Sequence, residues 1–455
     1  MTREDFVGVV RNAVSGLGFD QDASMVVFPI DPFLVGSDLT PIEDAIDKFS
    51  EGLTDWRSAT VETGLRQPSK VRIEANGYEA ALDKMNRMFL TSTWGDGLPV
   101  NAPTDERVDW IIKGTDLPRD HIIGKVMPRG GVATVETIAV SLAVAGGRPE
   151  YLPILIAATE ALLDRGLEHD KVQATSGSTF PVVIVNGPIA QDIRLNSGFG
   201  LLGPDPQHPA GASIGRALRL IQQNVGGALP GVGTMAIFGG MRYTNVVIAE
   251  DEEGLPEGWD PISVDFGHAK RGENAVTVYI ATGASNVLRR GVGKESQEEE
   301  AEQSLHRVAA YLGSPSGHYV NGYWNGTPGA LLMPRIVAKQ LSDLGWTKEK
   351  IKSFLWEQSK IPHAEVKRTG LWQWIDDASN ADTKATANDD PWAICRDASQ
   401  IMLTVAGGSH PTHNFWMQAW SKVVAGGKIN LPAGWAGLIA EAEEDLGPSG
   451  EMCLI

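Results

Sequence analysis

Two histidines three positions apart follow a Gly-Gly pair in "GGSHPTHNFW" (407–416). Imidazoles are common transition-metal ligands, and His410 and His413 could share an ion if a helix began there. Pro411 between them, and the absence of a nearby third ligand, weaken that reading. A second stretch, "NSGFGLLGPDPQHPAGASIGRA" (196–217), surrounds His208 with five glycines and three prolines. Backbone so bare lets a small molecule approach main-chain amides. The run "SIGRALRLIQQNVGG" (213–227) predicts a helix with Ser213 as N-cap and Gly226 as terminator. Asn196, Ser197, Gly198, His208 and Gly211 lie ahead of its positive end, where free N–H groups favour a carboxylate. Arg216, in the first turn, would complete a fork around that anion. Imidazole has a reference pKa near neutrality, so His208 would serve as general acid or base. The plainer alternative is a rigid loop packed on a neighbour, with His208 exposed.

Three weaker candidates follow. Glu136 sits in the first turns of an apolar helix within "GGVATVETIAV" (130–140). Burial there would raise its pKa and suit it to proton transfer, whereas an exposed setting would make it a partner of the helix dipole. Trp94 and Asp96 in "STWGDGLPV" (92–100) could present a ring and a carboxylate to a pocket, although such loops more often only turn the chain. Thr175, Ser176 and Ser178 in "QATSGSTF" (173–180) precede a strand in the style of a small anion cradle. With no GxSxG and no adjacent base, a serine nucleophile is not expected. The run "GGALPGVGTMAIFGG" (226–240) has no GxGxxG placed between a strand and a helix, and no GxxxxGKS/T occurs in the chain, so no nucleotide cofactor is expected.

The elements that must position these groups read as α/β, a mixture of α/β and α+β. Residues 4–16, 24–30 and 39–56 predict helix, buried strand and helix, the last with Thr40 as N-cap, Pro41 at N1 and Glu43 closing a capping box. An apolar strand between helices belongs in a parallel sheet, yet the next strand signal is "KVRIEA" (70–75). The missing neighbours must come from later in the chain or from another chain. Helices are predicted at 77–90, after Thr104, at 134–147 and at 149–166. Strands are predicted at 181–187, 234–240, 244–250 and 274–281. Beyond a charged helical start at 294–303 come helices near 301–312, 333–344 and 347–359. A flexible polar loop is expected at 376–390, and then a strand, a turn and a helix over 400–420. The division expected is 1–69, a partial α/β domain with a linker; 70–290, the main α/β core; and 291–455, a C-terminal α/β region.

Composition narrows the partners. A net charge of −18 over 455 residues disfavours nucleic acid and anionic membranes, which need clustered Lys and Arg. No apolar run is long enough for a membrane span and no signal-peptide core opens the chain, so a soluble cytoplasmic protein is expected. Cys395 and Cys453 form no CxxC or zinc pattern and exclude a disulfide framework. The ending "EMCLI" misses a prenylation box by one position.

Longer runs carry a resemblance. "WGDGLPVNAPTDERV", "GGVATVETIAVSLAVAGGRPEYLP", "QATSGSTFPVVIVNGP", "NSGFGLLGPDPQHPAGASIGRALRLIQQNVGG" and "AVTVYIATGASNV" resemble the bacterial UGSC-like family. Its members occur with, or fused to, a small α/β domain bearing a Cys-Gly-Ser-Cys or selenocysteine-Gly-Ser-Cys motif. The likeness is strongest over 91–290 and looser over 320–435. This chain lacks that motif, while residues 4–56 look like the latter half of the small domain. The resemblance therefore implies a small partner subunit that supplies the first strands and the Cys pair, in a larger hetero-oligomer. The expected activity is lyase or hydrolase/hydratase chemistry on a small carboxylate or carbonyl compound. His208, Glu136 and Arg216 would act on it, and the partner's cysteines would act as nucleophile or as ligands of a transition metal. A thiol or selenol redox subunit and a non-catalytic scaffold are the alternatives.

Overall fold

The structure, a computed structural model, describes residues 1–16, 23–34, 36–57, 70–239, 245–288, 296–314, 326–420 and 423–447. Most of the expected linker at 57–69 and all of the "EMCLI" ending lie outside these residues. The fold is mixed α/β, as the patterning predicts.

The N-terminal unit is a small β-α-β piece. β1 (Thr2–Arg3) pairs in parallel with β2 (Val27–Phe28), Thr2↔Val27 and Arg3↔Phe28, across the helix Val7–Gly16. The strand expected over 24–30 is thus two residues long, and its neighbour precedes it in the chain. Residues 70–75 form no strand. The helix expected over 39–56 is two helices, Thr40–Glu43 and Ile46–Thr54. Thr40 is not the cap but the first helical residue, and its N–H and hydroxyl both donate to Asp38 Oδ1, at 2.9 and 2.6 Å. Phe28 stacks on Phe49, with ring centroids 6.3 Å apart. Val27, Ile30, Leu34, Leu39, Ile46 and Leu53 remain exposed.

A hairpin of β3 (Ile122–Val126) and β4 (Gly131–Thr134) leads into the helices Val135–Val144 and Leu152–Leu162. Then comes the main sheet, built from β5 (Phe180–Asn186), β6 (Val246–Ala249), β7 (Ala275–Leu288), β8 (Gly329–Met333), β9 (Met402–Val405), β10 (His413–Ala419) and β11 (Ala425–Lys428). Its order is β6-β5-β7-β10-β8-β9, with β11 beside β7. β5∥β6 and β8∥β9 are parallel pairs, and the antiparallel β7 and β10 join them. The sheet therefore runs across position 290, and residues 329–428 complete it instead of forming a sheet of their own.

Side chains alternate in register with this pairing. Val182, Ile184, Ile248, Tyr279, Leu332 and Met417 face a shared inner core. The outer face divides. Val183, Val185, Val247 and Val278 pack under Val135–Val144, Leu152–Leu162 and the helix Ala210–Leu220. Leu331, Met333, Leu403, Val405 and Trp416 pack under Gln297–Leu312, Arg335–Asp343 and Lys348–Gln358. The sheet curls until its edges meet: Asp251 N, just past β6, donates to Val405 O of β9 at 2.7 Å. Glu250 fills the same seam, fully buried. Its carboxylate accepts from Asn186 Nδ2 at 2.8 Å, Ile262 N at 2.7 Å and Val405 N at 3.2 Å.

Three expectations fail for local reasons. Residues 234–239 form no strand, because the chain doubles back through Gly231 and Gly233; a Cβ on Gly233 would lie 1.8 Å from Gly227 O. Gly240, the last residue of that expected strand, lies outside the described residues. Residues 413–419 are a strand, not a helix, since Asn414, Trp416 and Phe415, Met417 divide between opposite faces between two existing strands. The polar segment 376–390 contains a helix, Ala381–Ala385, capped by Asn380 and anchored by buried Thr383 and Ala387.

Beneath the helix Ala210–Leu220, a π-helical turn, Ile221–Val225, carries Gln222 into a buried polar cluster. Gln173 Nε2 donates to Gln222 Oε1 at 2.9 Å and lies 3.2 Å from His169 Nε2. Burial drives the His169 pKa down to about 4, so the folded chain holds a neutral ring that the unfolded chain protonates below its ordinary value. This contribution is complete above about pH 6.5 and is lost as pH falls through about 4, up to roughly 3 kcal/mol. Urea unfolding of wild type and His169→Gln from neutral pH to pH ~4 should show the wild type losing more stability. Parallel curves would contradict this assignment.

Candidate functional site

Two glycine-bearing stretches, far apart in sequence, line one open pocket of about 520 Å³. Gly198–Pro204 make one wall, and Ala406–Gly408, His410, Thr412 and His413 make the other. Asn286, Leu332 and Phe415 close the base. The pocket lies beyond the carboxyl ends of β8 and β9, where parallel strands leave a crevice for ligands.

Each wall is fixed by the seam below it. Ala249 N, ending β6, donates to Asn196 O at 2.9 Å, and Gly407 N, just past β9, donates to Ser197 O at 2.8 Å. Asn196 is buried and shapes the first wall from inside. Its Oδ1 accepts from Gly198 N and its Nδ2 donates to Phe199 O, both at 2.8 Å. Asn196 and Ser197 are therefore supports, and Gly198 is the lining residue among the three. Phe199 lies against Gly408, where a Cβ would meet the ring at 2.1 Å, so only glycine lets the two walls touch.

The histidines expected as a metal pair line this pocket through the start of β10. His410 Nδ1 and His413 Nδ1 stand 2.9 and 2.8 Å from the hydroxyl of Thr412. Among the described residues no group of three His, Cys, Asp or Glu is placed to hold a metal. No charged side chain lines the pocket among the described residues.

The remaining candidates are placed elsewhere. The helix begins at Ala210 behind Pro209, so Ser213 lies inside it and is no cap. Gly211 and Gly215 serve packing: a Cβ on either would lie 2.8 Å from Val247 O or 2.3 Å from Asn245 O, so the helix rests directly on β6 backbone. Arg216 and Asp96, nominated separately, are partners. Nε donates to Oδ2 at 2.7 Å and Nη2 to Oδ1 at 2.8 Å, with a further bond to Pro99 O. Burial works to raise the Asp96 pKa, but this bidentate contact outweighs it and holds the carboxyl below its ordinary value. Arg216 is thus a strut, with no fork left for a substrate. Trp94 sits edge-on to Phe89, and its carbonyl accepts from Asn224 Nδ2 at 2.7 Å, which ties the same loop to the π turn.

Glu136 is half-exposed and pairs with Arg119 at 3.0 Å, in the first turn of a helix capped by Thr134, so it faces the dipole and not a pocket. Thr175 Oγ1 accepts from Gly177 N, and Ser176 O accepts from Ile237 N; they hold turns. Ser178 Oγ is buried without a partner. His208 Nδ1 binds Asp205 Oδ2 at 2.5 Å, which holds the Asp205 carboxyl below its ordinary range. That pair follows directly on Pro204 of the pocket wall but lies outside the lining. Cys395 is buried, and burial pushes its thiol up to about 12, far from a nucleophile's range.

Sequence reading missed Thr412, Asn286 and Phe199. Thr412 stood in view between the two histidines. Asn286 reaches the site only through the pairing Phe415↔Asn286 of β10 with β7, which no local pattern announces. Compared with protein-family models, with curated proteins and with solved structures, the chain has no match.

Because Arg216 and Asp96 are both largely buried, Arg216→Ala strands a carboxylate and should lower unfolding stability by roughly 3 kcal/mol. Replacing both residues by leucine should recover part of this in urea unfolding. A fully stable Arg216→Ala protein would return the residue to ligand binding.

Proposed function

We propose that this chain is an enzyme subunit that moves protons on a small carbonyl compound, in lyase or hydrolase/hydratase chemistry. The observation that carries the reading is that two histidines and glycine backbone from two distant stretches line one pocket. An imidazole changes charge near neutral pH and positions a proton within reach of a bound molecule. His410 and His413 take the acid–base roles first assigned to His208 and Glu136. Gly198, Gly200 and Gly407 let a carbonyl come close to main chain. With Arg216 committed to Asp96 and no cation in the wall, a neutral carbonyl suits the pocket better than a free carboxylate.

The partner belongs to the same proposal. An N-terminal unit with a two-stranded parallel sheet and a run of exposed aliphatic side chains supports this reading, since a second chain laid against it would extend the sheet and cover those side chains. The resemblance to the UGSC-like family makes that chain the bearer of a Cys-Gly-Ser-Cys motif. Its cysteines would add a nucleophile or a transition-metal site that the described residues of this chain do not supply. Among those residues no helix is long and apolar enough to cross a membrane, and the single described thiol is free, in keeping with a cytoplasmic setting.

The test is exchange in deuterated water. Small ketones, amides and hydroxy-carbonyl compounds are incubated with the chain alone and with its Cys-Gly-Ser-Cys partner, and loss of the proton beside the carbonyl is followed by NMR. At least one compound should exchange, with His410→Ala and His413→Ala each slowing it about 100-fold or more. Full turnover should require the partner. Exchange that survives the double histidine variant would refute the site, and equal turnover without the partner would refute the two-chain arrangement.

A further inference from the structure

A single hydroxyl stands between two imidazoles. Thr412 Oγ1 lies 2.9 Å from His410 Nδ1 and 2.8 Å from His413 Nδ1, and both rings line the same pocket. A hydroxyl has one hydrogen to donate. With both rings neutral, it can donate to at most one Nδ1; when it does, that nitrogen is bare, and the other Nδ1, donating to the hydroxyl oxygen, carries its proton. A ring bare at Nδ1 holds its proton at Nε2; a ring protonated at Nδ1 has a free lone pair at Nε2.

We propose that Thr412 locks His410 and His413 in opposite tautomers, so that one Nε2 is a base and the other a donor in the resting protein. This rests on the pocket being the reactive site, as proposed above, and names the chemistry it favours: a proton taken from one atom of an enolisable carbonyl compound and another delivered to a second atom or to a leaving hydroxyl. The balance closes within the chain. The base Nε2 gains the substrate proton as the other Nε2 releases its own. The Nδ1 proton of the first ring passes to Thr412 Oγ1, and the hydroxyl proton passes to Nδ1 of the second. Both rings end neutral with their roles exchanged, and no oxidant, reductant or metal is consumed. Thr412 acts through the two rings, so it is a positioning residue.

Ring tautomers are read directly, without turnover, by long-range nitrogen–proton NMR on protein labelled in histidine. Wild type should show one of the two rings protonated at Nδ1 and the other at Nε2, each assigned from its Ala variant. Thr412→Ser should keep this pattern. Thr412→Val removes the bridge, so both rings should take the Nε2–H form common to unconstrained imidazole, and any carbonyl exchange should slow about tenfold or more. Matching tautomers in wild type, or an unchanged pattern in a folded Thr412→Val protein, would overturn the proposal. A pocket that proves inactive while the tautomers still differ would instead refute the functional reading and leave the lock standing.

Discussion

The whole architecture turns on one buried carboxylate. Glu250 sits where the two edges of a curled sheet meet, and three donors from three separate segments converge on it: Asn186 at the end of β5, Ile262 at a short helix and Val405 of β9. Burial pushes its pKa up, and Lys348 and the donors pull the other way. An edge left open in the interior would strand backbone N–H groups, each a large loss in an apolar setting. The side chain supplies acceptors that a regular ladder cannot, because β6 and β9 converge only at their ends. Lys348, itself buried, is held by Asp265 and the Asp260 carbonyl at 2.8 and 2.5 Å, so the charges in this region are matched.

The proposed site depends on that closure. The residue before Glu250 holds one pocket wall through Asn196, and the segment just past Val405 holds the other through Ser197. A slip at the seam would separate the glycine wall from the two histidines. The site is therefore built on loops pinned to strand ends, which is how a scaffold keeps polar groups within hydrogen-bond reach.

Much of this was legible. The glycine-rich run at 196–204 and the histidine pair at 410 and 413 were both visible as chemistry, and most core helices and the strands β5, β6, β7 and β9 followed their periodicity, whereas β3, β4, β8 and β11 were not anticipated. What stayed hidden was juxtaposition. The two motifs meet through a sheet whose order cannot be read from local pattern, and His208 and Arg216 drew attention only by standing beside the glycines. Glycine density itself misled, since Gly211 and Gly215 answer to contact with β6 and not to a ligand. β10 read as a helix because its apolar residues suit either period until its partners on both sides are known.

Amide hydrogen exchange in Glu250→Gln tests the central claim most directly, because it reads the seam and both walls in one experiment. The account predicts faster exchange at Val405 and Gly407, and at Gly198 whose amide is held by the Asn196 side chain, with the helix Lys348–Gln358 still protected. Unchanged protection at Val405, Gly407 and Gly198 would contradict it.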